Sequence, residues 1–233
     1  MFKEILTPKI TQEELELVQE ISTLRPKPNR AIDQIYMKPI CMLVQAKLIA
    51  SYLDNKDVIF MGDGDHQSVL CGIYSTPKSI TVLDIDPRIV KSIPSVGRKY
   101  NIEIDAYQYD VLKPLPKKFV RKFNFFYTNP PYGSKNAGQS GITFISRCIE
   151  ACKFPSEGYV ILPHDNKRSW TKEVMENTQK FLLDHGWIIV EKLIGLHIYY
   201  LDDATLASGT MIVEQIKEIK SSIEGKSIKL NLY

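Results

Sequence analysis

Short apolar segments alternate with amphipathic segments along most of this 233-residue chain, and this alternation most restricts its possible folds. Candidate strands occupy 57–62, 79–86, 102–110, 122–131 and 158–165. Candidate helices occupy 38–53, 68–74, 87–100, 141–153 and 171–186, and Pro94 is expected to bend or split the helix at 87–100. The pattern predicts βαβ units with right-handed crossovers and a mostly parallel sheet.

Two further candidate strands, 187–196 and 208–217, have no helical pattern between them, so they predict a hairpin. The fold class is therefore α/β: a doubly wound, mostly parallel, seven-stranded Rossmann-like sheet with a final antiparallel strand. A helix over 11–21, with Thr11 and Glu14 as a capping box, precedes a proline-containing connector at 25–30. The predicted limits are a helical extension at 1–37, a catalytic domain at 38–218 and a polar tail at 219–233 that frays.

Composition and cysteine spacing exclude several classes of protein. The net charge of +3 is too small to indicate nucleic-acid binding by itself. The four cysteines form no CxxC pair, and no histidine lies at metal-ligand spacing, so we expect no metal, no disulfide and a reducing compartment. Because the sequence has no leader-like apolar region and no membrane-length apolar run, a cytoplasmic location and no membrane partner are predicted.

Polar and glycine residues follow the predicted strands at the end where parallel sheets bind ligands. Gly62, Asp63 and Gly64 follow the first strand, and an acid after the second is placed to accept hydrogen bonds from ribose hydroxyls. Position 67 is Gln rather than a third glycine, which disfavours NAD. The remaining candidates at strand ends are Asp84, Ile85, Asp110, the stretch Asn129-Pro130-Pro131-Tyr132, and Asp165.

The stretch NPPY at 129–132 suits an amino group whose lone pair is delocalised. The Asn129 side-chain oxygen and the Pro130 carbonyl are candidate acceptors for the two N–H groups, and Pro131 also lacks an N–H. Tyr132 offers a flat face for a planar base, and Gly133 leaves room for it. If the base lies in a duplex it must be flipped out, with Lys135, Lys167 and Arg168 as candidate phosphate contacts.

The order of these motifs resembles the class I S-adenosylmethionine (AdoMet) dependent methyltransferases. NPPY resembles the catalytic signature of enzymes that methylate adenine N6, "FMGDG" at 60–64 resembles their glycine loop, and "DQIYMKPICMLVQAKLI" at 33–49 resembles the motif that holds the methionine end of AdoMet. The resemblance implies N-methyl transfer from AdoMet to adenine in DNA or RNA, with the target recognised by this chain or by a partner subunit. The sequence does not define an oligomeric state. The cofactor-binding residues it implies are Tyr36, Gly62, Asp63, Gly64, Asp84, Ile85, Asp110 and Asn129.

A second resemblance leaves an alternative open. "RPKPNRAIDQ", followed by "GDGD" and "VLDID", is similar to the branched-chain polyamine synthases, which transfer an aminopropyl group from decarboxylated AdoMet on the same fold. A polyamine nitrogen is protonated at neutral pH and must lose that proton before it attacks. Asp63, Asp65 and Asp165 are the candidate carboxylates for that step. A third possibility is a non-catalytic module that binds AdoMet or a protein partner.

Overall fold

The computed structural model describes residues 8–165, 167–200, 206, 208–221 and 223–232, which form one layered α/β unit. Its helices are α1 Gln12–Thr23, α2 Pro39–Leu53, α3 Gln67–Tyr74, α4 Pro87–Lys99, α5 Gln139–Ala151 and α6 Ser169–Asp184. Its strands are β1 Asp57–Met61, β2 Ser79–Asp84, β3 Asp105–Gln108, β4 Phe123–Thr128, β5 Cys152–Pro163, β6 Trp187–His197 and β7 Ser208–Gln215.

All seven strands join one sheet in the order β3-β2-β1-β4-β5-β7-β6. The pairs among β1 to β5 are parallel, whereas β7 inserts antiparallel between β5 and β6. The predicted fold class is therefore confirmed, including the terminal hairpin. The strand order reverses between β1 and β4, and the carboxyl ends of those two strands define the crevice where ligands bind in such sheets.

Two apolar layers cover the sheet, as expected for strands that are buried on both faces. One layer joins α1 to α4 with alternate strand residues such as Phe60 and Phe125, and the other joins α5 and α6 with residues such as Ile59 and Phe126. The N-terminal extension belongs to the first layer, because Val18 and Ile21 on α1 are fully buried in it. Because α1 is packed into this layer, the connector between α1 and α2 is held close to the edge of the crevice.

Several predicted boundaries differ from the structure. Helix α4 runs unbroken through Pro94. Strand β3 is only four residues long, and β4 ends at Thr128, so NPPY lies just beyond the sheet rather than in it. Strand β5 begins at Cys152, six residues before its predicted start at 158, because a bulge around Pro155 accommodates the proline that disfavours a regular strand.

The chain after β7 packs against the domain instead of fraying. The Ile228 N–H donates to the Leu112 carbonyl over 2.8 Å, and the Ser140 hydroxyl donates to the Leu232 carbonyl over 2.9 Å. Arg147 on α5, fully buried, donates to the carbonyls of Ile223 and Lys226. The prediction of a frayed tail is therefore wrong for residues 223–232, since three anchoring points hold them against α5 and its neighbouring loops.

The predicted capping box at the start of α1 is present. The Glu14 N–H donates to the Thr11 hydroxyl over 3.2 Å, and the Thr11 N–H donates to the Glu14 carboxylate over 2.8 Å. Among the described residues, no helix combines the length and the apolar character that crossing a membrane requires.

Candidate active site

A cavity of about 310 Å³ lies over the carboxyl ends of β1, β2 and β4. Its floor is formed by loops that follow these strands, and the connector between α1 and α2 supplies one wall through residues 32–36. The structure brings together most of the residues that the sequence singled out. Those lining the cavity are Tyr36, Gly62, Asp63, Gly64, Asp84, Ile85, Asn129, Pro130, Pro131, Tyr132 and Gly133.

The glycine loop after β1 makes a sharp turn beneath the cavity. Gly62 adopts a φ of 77°, a conformation that L side chains rarely adopt, and its N–H donates to the Leu83 carbonyl over 2.8 Å. A side chain on Gly64 would place its Cβ 3.3 Å from the Tyr36 ring. Glycine at these two positions therefore allows the turn and keeps the backbone close to Tyr36.

Asp63 serves chiefly as a support for the following helix. Its two carboxylate oxygens accept the N–H groups of Gln67 (2.7 Å) and Ser68 (3.1 Å) in the first turn of α3. Burial raises the pKa of this carboxyl well above its usual range, while these hydrogen bonds oppose the shift. A direct contact between Asp63 and a cofactor stays a prediction.

Asp84 lies at the end of β2, as the sequence predicted, and joins two loops. Its oxygens accept the N–H groups of Asp63 and Asp86, each over 2.8 Å. Burial raises its pKa to about 6, so the carboxyl is ionised at neutral pH and is easily protonated below that. The Ile85 N–H also hydrogen-bonds this carboxylate, which still leaves acceptor capacity for a ribose hydroxyl.

Asp65 is a buried carboxylate in the cavity lining with three hydrogen-bond donors. Its Oδ1 accepts from the Arg25 guanidinium (2.9 Å) and from the Met37 N–H (2.8 Å), and the Asn129 amide also hydrogen-bonds it. Burial raises its pKa, and Arg25 opposes the shift. The sequence analysis assigns Asp65 only to the polyamine alternative. It quotes Arg25 as the first residue of "RPKPNRAIDQ" but gives it no role.

Asn129 and Tyr132 meet a residue that the sequence did not indicate. The Tyr199 hydroxyl, just beyond β6, donates to the Asn129 side-chain oxygen over 3.2 Å. The Tyr132 and Tyr199 rings are perpendicular, with centroids 6.4 Å apart. The oxygen proposed to accept a substrate N–H therefore already accepts a tyrosine hydroxyl, and Tyr132 packs against a second ring and the core. No sequence signal marks Tyr199, because its proximity depends on the backbone bridge between Met37 and Tyr199.

Four predicted contacts lie away from the cavity lining. The Asp110 side chain accepts the Leu112 N–H over 2.9 Å and so caps a turn, while its neighbours Tyr109 and Val111 line the cavity. Lys135 is exposed. Lys167 and Arg168 belong to a turn centred on Asp165, which accepts the Lys167 N–H (2.7 Å) and pairs with Arg168. Asp165 lines a separate groove beside α6 and is therefore not a base for this cavity.

The histidines and cysteines lie outside the cavity lining. All four cysteines are free and buried, and burial raises the pKa of each thiol. Among the described residues, no cluster of three or more His, Cys, Asp or Glu side chains has the proximity needed to hold a metal ion. The polar side chains that line the cavity are therefore carboxylates, the amides of Gln34 and Asn129, the Ser134 hydroxyl and tyrosine hydroxyls.

The strand order, the glycine loop and the acid at the end of β2 define a class: proteins with the Rossmann-like fold that AdoMet-dependent methyltransferases share. A putative RNA methyltransferase of Pyrococcus horikoshii shares this fold, with a TM-score of 0.67 at 18% identity over 89% of this chain and 100% of that chain. Within the class, the model of the branched-chain polyamine synthase A C-terminal domain matches residues 13–228. The chain belongs to that family.

Curated relatives and a solved structure agree with the family. The chain is 38% identical over 198 residues to N(4)-bis(aminopropyl)spermidine synthase of Methanocaldococcus jannaschii, covering 82% of this chain and 54% of the relative. It is 30% identical to the Thermus thermophilus enzyme of the same name over 75% of this chain and 50% of the relative. The chain thus spans about half the length of these relatives.

The solved structure is a mutein of the Thermus thermophilus branched-chain polyamine synthase, bound to N4-aminopropylspermidine and 5′-methylthioadenosine. Its TM-score is 0.82 at 26% identity over 94% of this chain and 68% of that one.

These findings overturn the main functional prediction, that of an adenine N6 methyltransferase. The family model covers the NPPY stretch together with the rest of the fold, so this tetrad occurs here in a polyamine-synthase domain. The cavity agrees with that placement, because a buried carboxylate and two perpendicular tyrosine rings surround Asn129. Binding of nucleic acid and of a target-recognition subunit, and the cytoplasmic location, stay predictions from the sequence.

Proposed function

We propose that this protein is an aminopropyltransferase, which moves an aminopropyl group from decarboxylated AdoMet to the inner nitrogen of a linear polyamine and so makes a branched one. The observation that carries the proposal is the family match over residues 13–228, which includes every residue of the cavity. The bound 5′-methylthioadenosine of the related structure is what remains of decarboxylated AdoMet after the aminopropyl group has left. Decarboxylated AdoMet thus replaces AdoMet as the expected donor.

The donor's nucleoside fits the half of the cavity next to β2. Asp84 supplies acceptors for the ribose, while Leu83, Ile85 and Tyr109 offer an apolar slot for the adenine ring. Asp110 accepts the Leu112 N–H and lies outside the cavity lining, and its contact with the adenine stays a prediction. This arrangement directs the sulfonium toward Asp65 and NPPY, where the acceptor amine binds.

Asp65 removes the proton from the acceptor nitrogen. The polyamine nitrogen is cationic at neutral pH, and its lone pair is available only after deprotonation. Of the three acids that the sequence analysis offered, Asp63 is occupied with capping α3 and Asp165 lies in another groove. Burial raises the pKa of Asp65 and makes it a stronger base, and its pairing with Arg25 fixes its orientation. The amine's lone pair then attacks the aminopropyl carbon attached to sulfur, and the C–S bond breaks with its electrons on sulfur.

The test offers both donors and several acceptors to one preparation. Decarboxylated AdoMet with spermidine is compared with AdoMet plus DNA or RNA, and products are identified by mass spectrometry. Branched polyamine is expected only in the first reaction. Asp65→Asn should lower its rate by about 10²- to 10⁴-fold, the usual contribution of a general base, whereas Asp165→Asn should leave it unchanged. No aminopropyl transfer from the folded protein, or equal loss in both variants, rejects the proposal.

A further inference from the structure

The products of a first and a second aminopropyl transfer differ in which protein groups can bind the alkylated nitrogen. N(4)-bis(aminopropyl)spermidine, the product named for the curated relatives, has an N4 with four carbon substituents. That nitrogen is permanently charged and has no N–H, so carboxylates and amides cannot hydrogen-bond it. Aromatic ring faces, in contrast, attract quaternary ammonium groups through the ring quadrupole. A site that makes such a nitrogen therefore benefits from ring surfaces at the reacting centre.

Five tyrosines line the cavity, but Tyr109 lies in the proposed adenine slot and two others are already occupied. The Arg25 guanidinium lies 4.5 Å from the centre of the Tyr36 ring. Tyr127 stacks on Tyr159 with centroids 5.7 Å apart, and its hydroxyl donates to Gln45 in the core. These contacts assign Tyr36 to holding Arg25 and Tyr127 to the packing of the sheet.

The remaining pair, Tyr132 and Tyr199, forms what we call the aromatic corner. The rings meet at 85°, and Tyr199 is held by its hydrogen bond to Asn129. Asp65 lies close enough for its negative charge to raise the pKa of both hydroxyls, although burial is the larger cause. A cation between the rings and Asp65 would therefore meet both the ring quadrupoles and a carboxylate.

We propose that the aromatic corner stabilises the reacting nitrogen in the second transfer, when that nitrogen becomes quaternary; this inference rests on the proposed aminopropyl transfer. In that step the lone pair of a tertiary amine forms the new N–C bond, and the C–S bond gives its electrons to sulfur. The positive charge passes from sulfonium to nitrogen without loss of a proton. The rings can offset this charge throughout the step, because no hydrogen bond to the nitrogen is needed.

The first transfer depends less on the corner. Its product is a tertiary ammonium that keeps one N–H. Asp65, after it has released to solvent the proton that it took before the attack, accepts that hydrogen bond and removes the second proton. Loss of a ring should therefore reduce the second transfer more than the first. The aromatic corner then sets whether the enzyme stops at one branch or continues to the quaternary product.

The activity test compares Tyr132→Leu and Tyr199→Leu with the matched Tyr132→Phe and Tyr199→Phe. Rates are measured with decarboxylated AdoMet and either spermidine or N4-aminopropylspermidine. The Leu variants should lose about tenfold more rate with N4-aminopropylspermidine than with spermidine, while the Phe variants, which keep the ring, should retain the ratio. Tyr200→Leu, an exposed neighbour outside the cavity lining, serves as control and should also retain it. An equal loss with both acceptors, or Phe variants as impaired as Leu variants, overturns the proposal.

A binding measurement separates this proposal from the aminopropyl function. With 5′-methylthioadenosine present, calorimetry compares tetrapropylammonium, which has no N–H, with tripropylammonium, which has one. The wild type should favour the quaternary ion, and each Leu variant should lose that preference. If no amine is ever alkylated but this preference exists and depends on the rings, the proposed function fails and the corner stands as a quaternary-ammonium site. If transfer proceeds while the preference is absent, the corner proposal fails alone.

Discussion

The buried ion pair between Arg25 and Asp65 provides the sharpest test of how the extension shapes the site. Only 5% of the Arg25 side chain and 8% of the Asp65 side chain are exposed, and the two are 2.9 Å apart. Arg25 also donates to the Ser22 carbonyl and lies over the Tyr36 ring. The perturbation is Arg25→Met, which retains much of the apolar stem and removes the charge.

The expected cost follows from leaving Asp65 buried without its cation. Breaking one side of a buried pair costs about 3–5 kcal/mol of unfolding free energy. Because contacting residues are coupled, the variant combining Arg25→Met with Asp65→Asn should be more stable than the sum of the two single effects predicts, by about 1–3 kcal/mol. Denaturant unfolding followed by circular dichroism measures all three variants. As control, Lys180→Met removes one partner of the ion pair with Glu176, in which both side chains are exposed, and should change stability little.

The pH dependence of this penalty has a definite sign. Arg25 lowers the pKa of Asp65, so its removal raises that pKa further above the value in the unfolded chain. The folded variant then binds a proton that the unfolded chain does not, and its stability falls as the pH rises through that window. The deficit of Arg25→Met should be smaller at pH 5 than at pH 8. Strictly additive single effects, or a deficit independent of pH, would refute the coupling of Arg25 to Asp65.

Three further predictions concern binding, thiols and packing. Asp84 has a pKa of about 6 and is expected to bind ribose when ionised. Affinity for 5′-methylthioadenosine, measured by calorimetry, should therefore fall by about tenfold for each pH unit below 6, and Asp84→Asn should abolish this pH dependence. The four buried cysteines should react with a thiol reagent only after unfolding. Gly158→Ala would place a Cβ 2.2 Å from the Phe126 ring and should lower the free energy of unfolding by about 1–3 kcal/mol in denaturant titrations. Gly141→Ala on α5 is the control, because the nearest atom to its Cβ would be 3.6 Å away, and it should not lower that free energy.

Each of these three predictions has an outcome that would contradict it. A pH-independent affinity of the wild type between pH 5 and 8 removes Asp84 from ribose binding. A thiol labelled in the native protein faster than the protein unfolds contradicts the burial of that cysteine. Equal stability of the two alanine variants means that β5 and Phe126 rearrange without cost.

The sequence predicted the sheet and the residues at its strand ends because both depend on local patterns. Strand β1 is apolar on both faces, and the glycines and acids that follow β1 and β2 are contiguous in the chain. Since parallel strands end at the same edge, their loops meet without further information. The strand limits were less predictable, because Pro155 disfavours a regular strand and so obscured the start of β5 in the sequence pattern. The position of Asp110 in the sequence likewise does not indicate that its side chain hydrogen-bonds the Leu112 N–H.

The missed residues are those that reach the site from a distance. Arg25 contacts Asp65 across 40 positions, and Tyr199 contacts Asn129 across 70. Both depend on the connector: the Tyr200 N–H donates to the Tyr36 carbonyl, and the Lys38 N–H donates to the Ile198 carbonyl. These are pairings of irregular backbone, which no periodicity in the sequence encodes.

These distant contacts explain why NPPY by itself favoured the wrong acceptor. The tetrad specifies an amide, a backbone without N–H groups and a ring, and these features suit a planar amine and a polyamine nitrogen alike. Which acceptor binds depends on the charge and the walls around the tetrad. Asp65 adds a buried negative charge beside Asn129, and Tyr199 turns Tyr132 from an open stacking face into one side of a corner. An acceptor that is cationic and has no flat face matches that corner better than a neutral base, so the residues from the connector and from the chain after β6 decide the chemistry that the tetrad leaves open.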